Sequence, residues 1–428
     1  MDVKESNRLK EFRQLKKEIR GSEEHLVVGI DIAKEKHHAF LGTATGKTLL
    51  RRLIFENSID GFENLLAYTE AMKVQHCLSK MVFGVEPTAN YHKPLAEYLI
   101  KCGCNVVLVS GVAVARNREL LDGRWDKNDT KDSANVADLI CQGKFLYYDY
   151  PALTLRGLRN LLSLKRRLKK QEHGTKVRIR NHLLAQYFPE FDRYFGKGCS
   201  ESLPIVKWCL NPTTIARMEY DEFVQLIAPR VKTIGQENRL KAIWDSAIGS
   251  VGCEAGEALG FEARLMVENL EQVKDSIRAI DDNIKDICLG FPEYSYLLTI
   301  PGFGADVSSK VLGAIGNPFR FDKGKQVLKL AGYDLSANRS GKTSDSAVPV
   351  ISKRGKAYLR YALYQAAFVA STSNRHFIIY YTNKLRDREM EKGIKTKMRV
   401  KLAAKMLIIA WTLMKNKEPF DPEFLNID

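Results

Sequence analysis

The sequence predicts an α/β domain built on a mixed sheet, joined to a long and mainly helical remainder. Three observations carry that expectation. Short β-branched runs alternate with helical patterns between residues 25 and 150. Apolar residues at spacings of three and four dominate after residue 151. The 428 residues exceed what one ordinary core organises, so two or three domains are expected.

Residues 1–24 are charged throughout and read as an amphipathic helix or an extension. Strand-like runs follow at 25–31, 36–41, 49–55, 81–86 and 105–110, with helix-like runs at 59–72, 91–101 and 129–143. Residues 152–185 read as a helix, because Leu155, Leu158, Leu161, Leu162, Leu164 and Leu168 recur at helical spacing. Residues 186–255 are rich in Pro and Gly and read as a small helical insertion with no assigned function. Leu270, Val273, Ile277, Ile280, Ile284 and Ile287 then step in a heptad seam. Its simplest use is an antiparallel coiled coil with the 155–182 helix; the plainer use is an ordinary core-facing helix. The expected division is an extension over 1–24, a catalytic domain over 25–150, a connector over 151–290 with its insertion at 186–255, and a C-terminal domain over 291–428.

Four acids stand where chemistry is expected. Asp31 ends the apolar run His-Leu-Val-Val-Gly-Ile-Asp, and Glu86 ends Met-Val-Phe-Gly-Val-Glu. Asp129 and Asp132 are spaced i, i+3, so a helix would present both on one face. Taken singly, each has a plainer use: a turn cap, a strand end before Pro87, a solvated helix face. Taken together, their order suits an RNase H-like mixed sheet. Four converging carboxylates repel one another, and hard oxygen ligands suit Mg²⁺, with Mn²⁺ as the alternative ion. Two such ions roughly 3.5–4 Å apart can stabilise both the attacking and the leaving oxygen of a phosphodiester exchange.

Charge points to a polyanionic partner. Lys and Arg number 67 against 51 Asp and Glu, a net charge of +16. The surplus is concentrated: residues 323–417 hold 21 basic residues against 5 acidic, and residues 155–182 hold 10 against Glu172 alone. Eight scattered cysteines lack zinc spacing and read as reduced thiols. A charged start argues against a signal peptide, and no apolar run reaches about 18 residues, so no membrane partner is expected. A cytoplasmic protein, on the nucleoid when acting, is the expectation.

The C-terminal region opens Leu298-Thr-Ile-Pro-Gly-Phe-Gly304, which suggests a helix-hairpin-helix whose turn presents backbone N–H groups to a phosphate; plain turn chemistry is the alternative. The segment Asn338-Arg339-Ser340-Gly341-Lys342 is a second candidate site, and spacing alone does not pick Ser340 from Ser336, Ser344 or Ser346. A serine nucleophile needs its proton removed and its phosphate target neutralised. Arg339, Lys342, Lys353 and Arg354 could supply charge; His is absent nearby until His376, so a carboxylate or a metal-bound hydroxide would have to activate it. Lys356 and Arg360, interleaved with Tyr358, Tyr361 and Tyr364, suit nucleic-acid contact. Lys395, Lys397 and Arg399 read as phosphate contacts.

These residues together resemble the DEDD-type transposases of insertion-sequence family 110, also described as bridge-RNA-guided recombinases. The resemblance rests on Gly29-Ile-Asp-Ile-Ala-Lys34, Val85-Glu-Pro-Thr-Ala-Asn-Tyr91 and Lys127-Asn-Asp-Thr-Lys-Asp-Ser-Ala134. It continues through Ile300-Pro-Gly-Phe-Gly304, Arg320-Phe-Asp-Lys-Gly-Lys-Gln326, Ala331-Gly-Tyr333, Ser340-Gly341 and Ile351-Ser-Lys-Arg-Gly355. It implies a RuvC-like domain, a coiled-coil connector and a C-terminal transposase domain. It implies a metal site at Asp31, Glu86, Asp129 and Asp132, and Ser340 as the nucleophile of a covalent phosphoserine link to DNA. A structured noncoding RNA that selects donor and target DNA is implied as a partner. So is a homo-oligomer, dimer or tetramer, whose subunits share each active centre. Two rivals remain: a metal-dependent, structure-specific endonuclease, as in Holliday-junction cleavage, without a serine nucleophile; and a nucleic-acid-binding protein whose acids are structural.

Overall fold

The computed structural model describes residues 4–122, 129–196, 199–231, 233–336 and 350–425, without the side chains of 4–9, 11, 120–122, 129, 130 and 336. The chain divides into two compact units, Met1–Ala152 and Leu153–Asp428.

The first unit is a mixed α/β sheet with helices on both faces. It runs α1 (Lys4–Ile19), β1 (His25–Asp31), β2 (Lys36–Thr43), β3 (Thr48–Glu56), α2 (Ile59–Gln75), β4 (Lys80–Val85), α3 (His92–Lys101), β5 (Asn105–Leu108), α4 (Gly111–Asp122), α5 (Asp129–Cys141) and β6 (Leu146–Tyr147). The strand order is β3-β2-β1-β4-β5-β6; β1 pairs parallel with β4 and β4 with β5, and the other pairings are antiparallel. The expected helices and strands are all present to within a few residues. Helix α4 and strand β6 were not anticipated, and Glu86 lies one residue beyond β4 rather than inside it.

Alternation sorts β1 and β4 between two cores. Leu26, Val28, Ile30, Phe83 and Val85 pack on Phe62 and Leu65 of α2 and Leu95 and Leu99 of α3. Val27 and Val82 pack on Val136, Ala137 and Ile140 of α5. On that second face Gly29 and Gly84 are register partners across the parallel ladder. A Cβ at Gly29 would stand 2.2 Å from the Ser133 carbonyl oxygen, and one at Gly84 would stand 2.1 Å from Ile140 Cδ1. The two glycines therefore form a shallow trough in which α5 lies directly on the sheet.

The second unit is helical. Its spine is α6 (Leu153–Arg178), which continues as a π-helical turn, Ile179–Leu184, and a short α7 (Ala185–Tyr187). Helices α8 (Ser202–Trp208), α9 (Pro212–Ala216), α10 (Tyr220–Ile227) and α11 (Ile234–Ile248) precede the long α12 (Glu257–Leu289). Helix α12 runs antiparallel to α6. Leu155 and Leu158 share a core with Ile280 and Ile284, whereas Ile179 and Leu183 share another with Leu259 and Val267. The heptad positions Leu270, Val273, Ile277, Ile280 and Ile284 are all buried. The 186–255 insertion is helical, as expected: its Phe188, Phe191, Phe223, Leu240 and Ile243 are fully buried in the core it shares with Ile179, Leu183, Leu259 and Val267. Burial acts to raise the Glu201 carboxyl, but the Arg239 guanidinium at 2.8 Å outweighs it and holds Glu201 below the usual carboxylate range.

The rest of the unit is α13 (Pro292–Leu298), α14 (Ala305–Ile315), α15 (Gly324–Ala331), the two-residue strands β7 (Leu335–Ser336) and β8 (Val350–Ile351), α16 (Ala357–Ser373), α17 (Arg375–Leu385) and α18 (Ile394–Asn416). The turn between α13 and α14 holds Gly302 at φ +85, pressed so closely on α16 that a Cβ would stand 2.4 Å from the Ala366 carbonyl oxygen. The hairpin of helices expected there is present. Asp306 in the first turn of α14 takes Lys165 at 2.6 Å and Lys310 at 2.5 Å. An acid in the first turn is favourable to the helix dipole.

Candidate functional site

The sheet brings two of the four acids together by register. Ile30 pairs with Val85 across the parallel ladder, so Asp31 and Glu86 follow as neighbours at the carboxyl ends of β1 and β4. They fall on the face of Val27, Gly29, Val82 and Gly84, the face covered by α5. Ligands of open α/β sheets gather at this end of the strands. Both acids are half-buried. The Glu86 carboxylate lies at the start of α4, where a Cβ on Gly111 would be 2.7 Å from its Oε1, so the glycine makes room for it. His38 stands opposite Asp31 on the antiparallel ladder with β2, and opposed residues share a face.

Helix α5 supplies the third acid. The helix lies on the sheet at the Gly29 trough through Ser133 and Ala137, and Asp132 is 2% exposed. Burying an ionised carboxylate is costly without a partner. Arg118 of α4 is that partner: its Nε and Nη2 donate to one Asp132 oxygen, Oδ1, at 2.8 and 2.5 Å. A buried amide network fixes the two helices. Asn117 Nδ2 donates to Asn135 Oδ1 at 2.6 Å and to Asp138 Oδ2 at 2.8 Å, and Asn135 Nδ2 donates to the Val114 carbonyl at 2.7 Å. Asp129 opens α5, and its side chain lies outside the described residues.

Among the described residues, no group of three or more His, Cys, Asp or Glu side chains is gathered tightly enough to hold a metal ion. Asp132 is turned to Arg118. The donor chemistry nevertheless fits a hard divalent cation, because the side chains are carboxylates on two adjacent strand ends and on the helix covering them. Arg118, His38 and the whole of α4 escaped the sequence reading. No spacing rule links Arg118 to an acid fourteen positions away.

The second candidate site is only framed. Arg339, Ser340 and Lys342 lie outside the described residues. The segment leaves and returns through the β7–β8 ladder, where Leu335 pairs with Ile351 and Ser336 with Val350. Ser352 Oγ donates to Asp334 Oδ1 at 2.6 Å just below it.

The basic candidates separate into two groups. Arg360 donates to the Ala331 carbonyl at 2.8 Å, and Lys356 reaches the Ala314 carbonyl at 3.5 Å, so both serve helix C-termini. Arg399 lies over the Phe368 ring at 4.6 Å and the Tyr381 ring at 5.6 Å. These three were expected to meet nucleic acid, and the structure gives them internal partners. Lys353, Arg354, Lys395 and Lys397 are exposed. Tyr361 is exposed, whereas Tyr358 and Tyr364 are half-buried.

Comparison with known proteins places both regions. A DEDD-type family model for IS110, described as "Transposase", matches residues 28–189, and the "Transposase IS116/IS110/IS902 family" matches residues 294–382. The first span contains Asp31, Glu86, Asp129 and Asp132; the second contains Ser340. An insertion element IS110 protein of 43.6 kDa from Streptomyces coelicolor is 22% identical over 400 residues, covering 91% of this chain and 94% of the relative. Pilin gene-inverting proteins of Moraxella lacunata and Moraxella bovis are each 29% identical over 160 residues, 36% of this chain and 48% of theirs.

Proposed function

Because the chain belongs to the IS110-type DEDD transposases, enzymes of DNA strand exchange, we propose that it recombines DNA through a covalent phosphoserine intermediate. One observation carries the reading: Asp31 and Glu86 are register neighbours on the sheet face that α5 covers, with Asp132 buried in that helix. A structural role for three acids would not require two of them side by side at the carboxyl ends of the central strands and the third in the helix covering that face. In this reading the first unit is RuvC-like, the α6–α12 pair is a coiled-coil connector, and the helices after it form the transposase domain.

Asp31, Glu86, Asp129 and Asp132 would hold a divalent metal, Mg²⁺ or Mn²⁺, and Arg118 would give up Asp132 to it. When bound, the metal supplies charge neutralisation at the scissile phosphate. The Ser340 oxygen attacks phosphorus and forms the phosphoserine ester; the bond to one strand oxygen breaks, and that oxygen carries away the proton lost by the serine. A strand hydroxyl then attacks the ester, releases Ser340 and restores a phosphodiester. Bond energy is retained throughout, so strand exchange needs no nucleotide hydrolysis. Donor and target DNA are the substrates, and a structured noncoding RNA that pairs with both would choose them. A homo-oligomer would assemble the strands to be exchanged. Arg339, Lys342, Lys353, Arg354, Lys395 and Lys397 would contact phosphates.

A covalent-adduct assay tests the reading. Wild type and Ser340→Ala are incubated with supercoiled donor and target DNA, the RNA flanking the gene, and Mg²⁺, then resolved under denaturing conditions. DNA attached to protein is expected in wild type alone. Cleaved DNA without an adduct in either protein would replace the recombinase with a hydrolytic endonuclease.

A further inference from the structure

The helical unit contains a cavity that the strand-exchange reading leaves unused. It lies between α6, α12, α14 and α16, with a volume of about 680 Å³. That is the size of a small-molecule site, roughly 300–1,000 Å³, and far too narrow for a duplex.

Its walls differ in chemistry. Tyr358 and Tyr361 on α16 are spaced i, i+3 and share a face. Tyr361 is 65% exposed at the cavity, an aromatic surface that packing within the chain does not account for. Opposite them, the exposed Arg166 of α6 lies 5.8 Å from the Tyr358 ring centroid, and Lys169 lines the cavity one turn further on. Lys165 stands between Asp281 and Asp306 at 2.6 Å each. Burial acts to lower its ammonium, but the two carboxylates outweigh this and hold the pKa above the usual lysine range. Five cations line the cavity (Arg159, Lys165, Arg166, Lys169 and Lys310) against Asp281 and Asp306, a surplus of three. Arg159 is bound to the Gly313 carbonyl at 2.8 Å and Lys169 holds Glu172 at 3.0 Å, which leaves Arg166 as the exposed guanidinium at the rim.

We propose that this cavity holds one unpaired nucleotide of a nucleic-acid strand, its base against Tyr361 and Tyr358 and its phosphate at Arg166. The inference rests on the reading that the partner is nucleic acid. An unpaired base offers a π-face to an aromatic wall, whereas bases stacked inside a duplex do not. The carboxylates at Lys165 offer acceptors for the amino and imino groups of a base, which a purely basic phosphate site would lack.

Anisotropy titrations of the full chain with short single-stranded RNA, single-stranded DNA and duplex DNA of one sequence test it. Tyr361→Ala is expected to weaken single-strand binding roughly tenfold to a hundredfold and to leave duplex binding unchanged. Tyr361→Phe keeps the ring and should stay near wild type. Arg166→Ala should weaken the same strands and flatten their salt dependence by about one unit of slope. The RNA and DNA arms tell which strand supplies the nucleotide. Equal loss on single strands and duplex, or no loss in Tyr361→Ala, overturns the cavity assignment. Wild type that binds duplex but neither single strand overturns the assignment while the strand-exchange reading stands. Wild type that binds none of the three overturns both.

Discussion

The two units handle charge in opposite ways. In the sheet unit, acids are positioned by backbone register: Asp31 and Glu86 become neighbours because β1 and β4 pair in parallel, whatever their side chains do. In the helical unit, cations are sorted by packing: Arg360 and Lys356 on or beside α16 reach carbonyls, while the nearby Lys353 and Arg354 stay exposed. A register is fixed by the alternation of many residues at once. The fate of one long cationic side chain depends on which carbonyl or ring its neighbours happen to present. Acid sites on sheets are therefore the more readable of the two.

The sharpest way to break the comparison is to remove an acid. Asp31→Ala should reduce strand exchange by more than about a thousandfold while the melting temperature changes little, since a half-buried acid is lost and a repulsion with it. Unchanged exchange in that variant would mean that register alone does not make a site. Gly29→Ala should cost stability instead, about 3 kcal/mol or more, because its Cβ meets backbone of α5 that cannot yield. A urea melt with an unaltered midpoint would show that the trough is not what seats α5.

Arg118→Ala sharpens the account of Asp132. Leaving a carboxylate at 2% exposure without its cation should cost about 2–3 kcal/mol in metal-free buffer. Added Mg²⁺ should recover more of the melting temperature in this variant than in wild type, because bound metal stabilises the folded state by mass action. Loss without recovery would make Arg118 and Asp132 a structural pair. In the helical unit, Arg360→Ala should lose about 1–2 kcal/mol by orphaning the Ala331 carbonyl, against less than about 0.5 kcal/mol for Arg354→Ala. Equal losses would erase the division of the cations into engaged and exposed.

The smallest expected effect is on pH. The Glu201 carboxyl is depressed in the folded state, so its contribution is fully present above the unfolded value near about 4.3 and is lost as pH falls through that value and below. Acid melts of wild type should show this, and Glu201→Gln should flatten the profile over the same window. An identical slope in the two proteins would assign the acid lability elsewhere.

Much of the fold was legible in the sequence, for reasons visible in particular residues. Leu26, Val28 and Ile30 alternate with Val27 and Gly29 and so declare a strand covered on both faces. Leu270, Val273, Ile277, Ile280 and Ile284 declare a helix seam. Helix α4 lies outside the sequence reading because Gly-Val-Ala-Val-Ala-Arg-Asn-Arg lacks a clean apolar stripe, and its hold on α5 combines buried amides with the buried apolar side chain Val114. The insertion reads as helical without element bounds, because its short helices bury scattered aromatics, which leaves little periodicity to detect.

By itself, the sequence determined where most strands and helices run, which acids follow the two apolar runs, and where positive charge accumulates. These are local properties of pattern and composition. Only the tertiary structure decided that Gly29 and Gly84 form one trough, that Asp132 faces Arg118, that Asp306 occupies the start of α14, and that Arg360 and Arg399 are engaged inside the unit. Each of those joins residues distant in the chain. A contact between distant residues is set by the packing of whole elements, and no local pattern encodes it.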